Sequence, residues 1–186
     1  MPLDPHLLAQ ALRTPPGQDV TESPIVRAVI LPDPANAADL VPALRTPDSL
    51  EGANARRILC EFDPPAVPHI AAALAGGPAA GDAQAAMAGV EVIWALLTGE
   101  PRAVVAETLD AAAENLDVLL RDRTPLPDDM PAHIERDFRG RICDLTHLVL
   151  GQLADPTADQ SVFRALDDEG RDEAIRQRRP SGGGIA

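Results

Sequence analysis

Residues 82–99 read DAQAAMAGVEVIWALLTG, and how this stretch folds decides the architecture. Ala83, Ala85, Ala86, Met87, Val90, Val92, Ile93, Trp94, Leu96 and Leu97 nearly close a helical circumference, leaving Gln84, Glu91 and Thr98 as polar interruptions spaced by seven. Seven residues turn a helix through about 700°, so those three fall on one narrow stripe. A helix that is apolar almost all round must be covered by other elements, and about 15 residues is too short to span a membrane. The stretch therefore predicts a buried central helix with neighbours packed around it and Trp94 as its largest core anchor.

The rest of the composition agrees with helices. The chain has 186 residues, enough for one substantial core. Aromatics are 2 %, Tyr is absent, and Ala is abundant, which favours close helix contacts. Val and Ile seldom alternate with polar residues over strand lengths, so little reads as sheet. All 16 basic residues are Arg, a bias of the bacterial type that leaves no lysine for a Schiff base, a general base or a phosphate loop. The formal net charge of −13 argues against a nucleic-acid surface and suits a basic partner. Met1 to Gln10 has neither a basic start nor a long apolar run. A cytoplasmic protein with Cys60 and Cys143 reduced is expected.

Outward from the central stretch, the chain divides at Pro and Gly. Asp4-Pro5 opens a short helix that stops at Thr14-Pro15. Ser23 to Leu31 has strand-like β-branched content, but its position between two helix ends favours a short helix. Asp48 with Glu51 marks a capped start for a helix reaching Phe62, and Val67-Pro68 opens another that closes at Gly76-Gly77. Pro101 opens an amphipathic helix to about Asp122. Its apolar face carries Val105, Leu109, Ala112, Leu116 and Leu120, and its opposite face carries Glu107, Asp110, Glu114 and Asp117. A last helical region runs from Pro131 towards Ala154 on the stripe Ile134, Phe138, Ile142, Leu145 and Val149, with Gly140 a point where it could split. The expected organisation is one helical domain over 1–155, a polar helical segment over 156–177 and a disordered tail over 178–186.

ALRTP occurs at 11–15 and again at 43–47, and helix ends at Leu12, Leu44, Leu74, Leu120 and Leu153 are each followed by a Pro- or Gly-bearing turn. Spacings of 32, 30, 46 and 33 lie in or near the range of helical repeats. With LVPALRTP at 40–47, ANARRIL at 53–59, AVPHIAAALAG at 66–76 and PIVRAVIL at 24–31, the chain resembles the HEAT and armadillo class of α-solenoids. Arg27, Arg56 and Arg57 match the arginine that such families place in a first helix, and Val41-Pro42 and Val67-Pro68 match the start of a second. The spacing of 46, at the central helix, departs from the pattern. The resemblance implies an all-α fold of stacked antiparallel helix pairs, HEAT-like or an irregular bundle, and a protein partner.

Chemistry-bearing patterns are sparse. No phosphate-binding Gly-rich loop, nucleophile elbow or paired-Cys motif occurs. Cys143 and His147 stand at i and i+4 and could share a metal, but no third ligand is identifiable nearby, so a thiol and an imidazole facing a neighbour or solvent is the preferred reading. His69 reads as packed or superficial, and His6 and His133 as incidental. Neither a catalytic residue, a metal nor a cofactor is expected. The binding candidates are Gln84, Glu91 and Thr98, whose stripe should reach solvent or a groove, and the acidic row Glu107, Asp110, Glu114 and Asp117, which also suits a plain solvated face. The expected function is protein binding or scaffolding. The alternatives are a helical-repeat enzyme using Glu91, His69 or the Cys143–His147 pair, and an acidic inhibitor whose surface would extend to Asp128, Asp129 and Asp137.

Overall fold

In the computed structural model the described residues are 3–77, 79–98, 106–126, 140–155 and 159–178, and for 98, 106–109, 152 and 153 the description covers the backbone alone. The elements among them are all helical and no strand forms; a lone antiparallel bridge joins Pro125 and Arg141. The expected all-α class is therefore found. The chain divides between Val118 and Leu119 into two compact units.

The first unit begins with α1 (Pro5–Leu12), capped by the Asp4 carboxylate, which accepts from His6 N at 2.8 Å. Residues 24–31 are helical and not a strand: Arg27 N donates to Ser23 O and Leu31 N to Val26 O, each at 2.9 Å. The second bond spans five residues, so Val26–Ile30 is a π-helical turn. After α2 (Ala37–Leu40) and the 3₁₀ turn Val41–Arg45 comes α3 (Leu50–Leu59). Its cap is Ser49 rather than the expected Asp48. Ser49 Oγ donates to Thr46 O at 2.7 Å and accepts from Gly52 N at 3.0 Å, which leaves Asp48 one position outside the helix start. A Cβ added at Gly52 would overlap the Thr46 carbonyl oxygen and come within 2.9 Å of Pro47 Cα. Because those are backbone atoms, Gly52→Ala is expected to cost about 1–3 kcal/mol, read as a lowered urea midpoint. An unchanged midpoint would show that the 46–49 turn yields freely.

α4 (Val67–Gly76), α5 (Ala83–Thr98) and α6 (Ala106–Leu116) complete this unit. Asp82 caps α5, accepting from Ala85 N at 2.9 Å. α4 packs on α2, α5 and α6, and α5 also packs on Val41–Arg45. Under this cover Ala85, Val90, Val92, Ile93 and Leu96 are buried, as the central stretch predicts. Gly89 permits the approach of α4, since a Cβ there would fall 2.6 Å from Leu74 Cδ1. Trp94 differs from expectation, being 36 % exposed. It lies three residues beyond Glu91, about 60° around the helix from the 84–91–98 stripe, on the side its neighbours leave open. α6 ends at Leu116 and not near Asp122, and the chain goes on in a separate 3₁₀ turn at Leu119–Arg121. The expected start at Pro101 lies outside the described residues.

The second unit comprises the 3₁₀ turn Leu119–Arg121, α7 (Ile142–Ala154), α8 (Ser161–Ala165) and α9 (Asp168–Arg178). Leu119–Arg121 and α9 both pack on α7. Leu120, Ile142, Cys143, Val149, Phe163 and Ile175 are buried. The expected helix start at Pro131, with Ile134 and Phe138, lies outside the described residues, as do Asp128, Asp129, Asp137, His133 and the tail beyond Arg178.

Candidate functional site

Two buried charge clusters and one cleft stand out. On α5, Glu91 is 5 % exposed, so at this position the stripe expected to reach solvent or a groove is closed over. Arg56, brought by α3, places Nη2 2.9 Å from Glu91 Oε2, and the arginine side chain keeps 30 % exposure. Burial pushes the Glu91 carboxyl up to about 7, and the Arg56 charge only partly offsets that rise. Exposed Cys60 follows Arg56 by one helical turn, and burial of its sulfur raises its thiol above the ordinary range. Gln84 is half-buried, and the Thr98 side chain lies outside the described atoms. α5 thus presents Trp94 at the surface and keeps its carboxylate inside.

Of the acidic row on α6, Asp110 and Glu114 are exposed and Asp117 is half-buried. The Glu107 side chain is outside the description. His69 is exposed on α4.

The cleft lies between α1 and the turns that follow it. It has a volume of about 640 Å³ and is lined by Gln10, Arg13, Gln18, Asp19, Glu22 and Pro24 among others. Asp19 is held below the ordinary carboxylate range by the Thr21 hydroxyl and amide, and it also meets Arg57 at 3.2 Å. Glu22 accepts from Arg27 at 2.8 Å.

In the second unit, Asp144 is wholly buried in the first turn of α7. Arg141 grips it in a fork, Nε to Oδ2 at 3.1 Å and Nη2 to Oδ1 at 3.0 Å, while the Arg141 amide donates to Oδ2 at 2.9 Å. Arg171 of α9 adds Nη1 at 3.6 Å. Asp172 of α9 accepts from Arg141 at 2.8 Å and meets Arg123 at 3.2 Å. Burial alone would raise Asp144, but the Arg141 hydrogen bonds and the charges of Arg141 and Arg171 outweigh it and hold the carboxyl below its usual range.

Cys143 and His147 flank this cluster. Cys143 is buried, 3.6 Å from Asp144 Oδ1, and burial followed by the Asp144 charge raises its thiol. His147 stacks on Phe163 with centroids 4.3 Å apart. Burial, then the Arg178 charge, pushes its imidazole down to about 4, so it is neutral near pH 7. Among the described residues no group of three or more His, Cys, Asp or Glu converges as metal ligands. Among them, too, no helix is long and apolar enough to cross a membrane.

Sequence reasoning singled out Glu91, Cys143 and His147 but did not pair Glu91 with Arg56 or His147 with Phe163. It missed the Arg141–Asp144–Asp172 cluster, for which the i,i+3 pairing of Arg141 with Asp144 was the available signal. No family model, curated protein or solved structure matches the chain.

Proposed function

We propose that this chain is a protein-binding module of the HEAT-like helical-repeat type, acting in the cytoplasm on a partner with a basic surface. The observation that supports this most directly is Trp94, 36 % exposed on a helix that buries Met87, Val90, Val92, Ile93 and Leu96 to 4 % or less and half-buries Leu97. A Trp held on a rigid helix is the kind of anchor that dominates interface energetics. The net charge of −13, with Asp110 and Glu114 exposed, adds attraction for a basic partner.

The cleft near α1 favours a second reading, a small-ligand or enzyme site, since its volume lies within the range of ligand pockets. Its two carboxylates, Asp19 and Glu22, are already engaged by arginines, which weighs against this second reading.

Affinity capture from the native host with wild type and Trp94→Ala separates the readings. The Trp94 variant should stay folded by far-UV circular dichroism, because the ring is only partly buried, and its recovery of the captured protein should fall tenfold or more. Equal recovery by both forms, or no enriched protein with either, would sink the proposal.

A further inference from the structure

α9 carries one buried apolar side chain, Ile175; its other buried residue is Arg171. Its other links within the second unit include a set of ion pairs and hydrogen bonds. Asp172 meets Arg141 at 2.8 Å and Arg123 at 3.2 Å, and Arg171 meets Asp144 at 3.6 Å. Arg178 Nη1 donates to His147 O at 3.2 Å, and Arg171 Nη2 donates to Arg164 O at 3.1 Å. α7, by contrast, buries Ile142, Cys143, Leu145, Leu148, Val149 and Leu150. A helix without an apolar stripe gains little from burial, so its hold depends on charge.

We propose that α9 is a charge-held strap, which detaches from α7 when its ion pairs are screened or removed while α7 stays folded. Asp172 is the hinge of this hold because from α9 it meets both Arg123 and Arg141, and its side chain is 32 % exposed and therefore within reach of salt. Detachment would open Asp144 and the His147 carbonyl to water and release Arg123 and Arg141 from Asp172 while Arg141 keeps its fork on Asp144, turning a closed face of α7 into one with buried charge uncovered. Elements of low local stability are those that move on cue, and α9 has the composition of one.

Hydrogen–deuterium exchange on the full chain tests this. At 0.05 M and 0.5 M NaCl the amides of 172–178 should exchange about tenfold faster at the higher salt, with those of 146–154 unchanged. Asp172→Asn should give the faster rate already at 0.05 M and lose most of the salt response. Arg176→Gln, which removes an exposed pair with Glu173 within α9 itself, should leave the wild-type pattern in place. Exchange of 172–178 in step with 146–154, or rates indifferent to both salt and Asp172→Asn, would overturn the strap.

Discussion

Replacing Asp144 by Ala is expected to destabilise the second unit by about 3–5 kcal/mol, the range for breaking a buried ion pair from one side. The carboxylate is fully buried and is the shared acceptor of Arg141 and Arg171, whose side chains keep only 14 % and 10 % exposure. Its loss also removes the acceptor for the Arg141 amide at the start of α7, where the first backbone donors have no partner within the helix. Asp144→Asn keeps one oxygen and most of the shape, so it should cost clearly less than Ala. The single Trp lies in the first unit and does not report on this event. Hydrogen exchange at α7 amides does, and a loss of protection equivalent to less than about 1 kcal/mol would show the cluster to be ornamental.

How legible this was in the sequence differs by link in the chain of causes. The apolar circumference of 83–97 identified α5 and its burial, because periodicity reports the environment of a whole helix. It misjudged Trp94 and Glu91 in opposite directions. Size and hydrophobicity placed Trp94 inside and the polar stripe placed Glu91 towards solvent or a groove, yet the tertiary neighbours decided: Arg56 arrives from α3 to receive the carboxylate, and the indole keeps 36 % exposure. The helix caps show the same limit at smaller scale. Asp4 was legible as a cap, whereas Asp48 lost to Ser49 because the Thr46 carbonyl fixes the Ser49 hydroxyl in place. In the Arg141–Asp144–Asp172 cluster only the i,i+3 pair of Arg141 with Asp144 is a local pattern; Asp172 lies 31 residues from Arg141, and nothing local announces that meeting.

Glu91→Gln is expected to change how the first unit responds to pH. The carboxyl titrates near 7 in the folded chain against an ordinary value of 4.5, so between those values the folded state holds a proton that the unfolded state has released. Stability contributed by this group is therefore full below about pH 4.5, falls as pH rises through about 7, and stays low above it. The shift corresponds to roughly 3 kcal/mol. Gln removes the titration while keeping the shape, and Arg56, with 30 % of its side chain exposed, can turn its charge to water. The variant should thus match or exceed wild type above pH 7, and the difference between the two should shrink as pH falls to 4.5. Urea titrations followed by Trp94 fluorescence at pH 5 and pH 8 read this out, since Trp94 lies one turn from Glu91 in the same unit. His147 acts in the other unit with the opposite sign: its lowered imidazole makes that unit lose stability as pH falls from 6.5 towards 4. The far-UV signal, which sums both units, should accordingly show a weaker pH dependence than Trp94 fluorescence does. A Glu91→Gln variant less stable than wild type at pH 8 would mean that the Arg56 pair outweighs the cost of burying the carboxylate, and that the carboxyl is ionised well below pH 7.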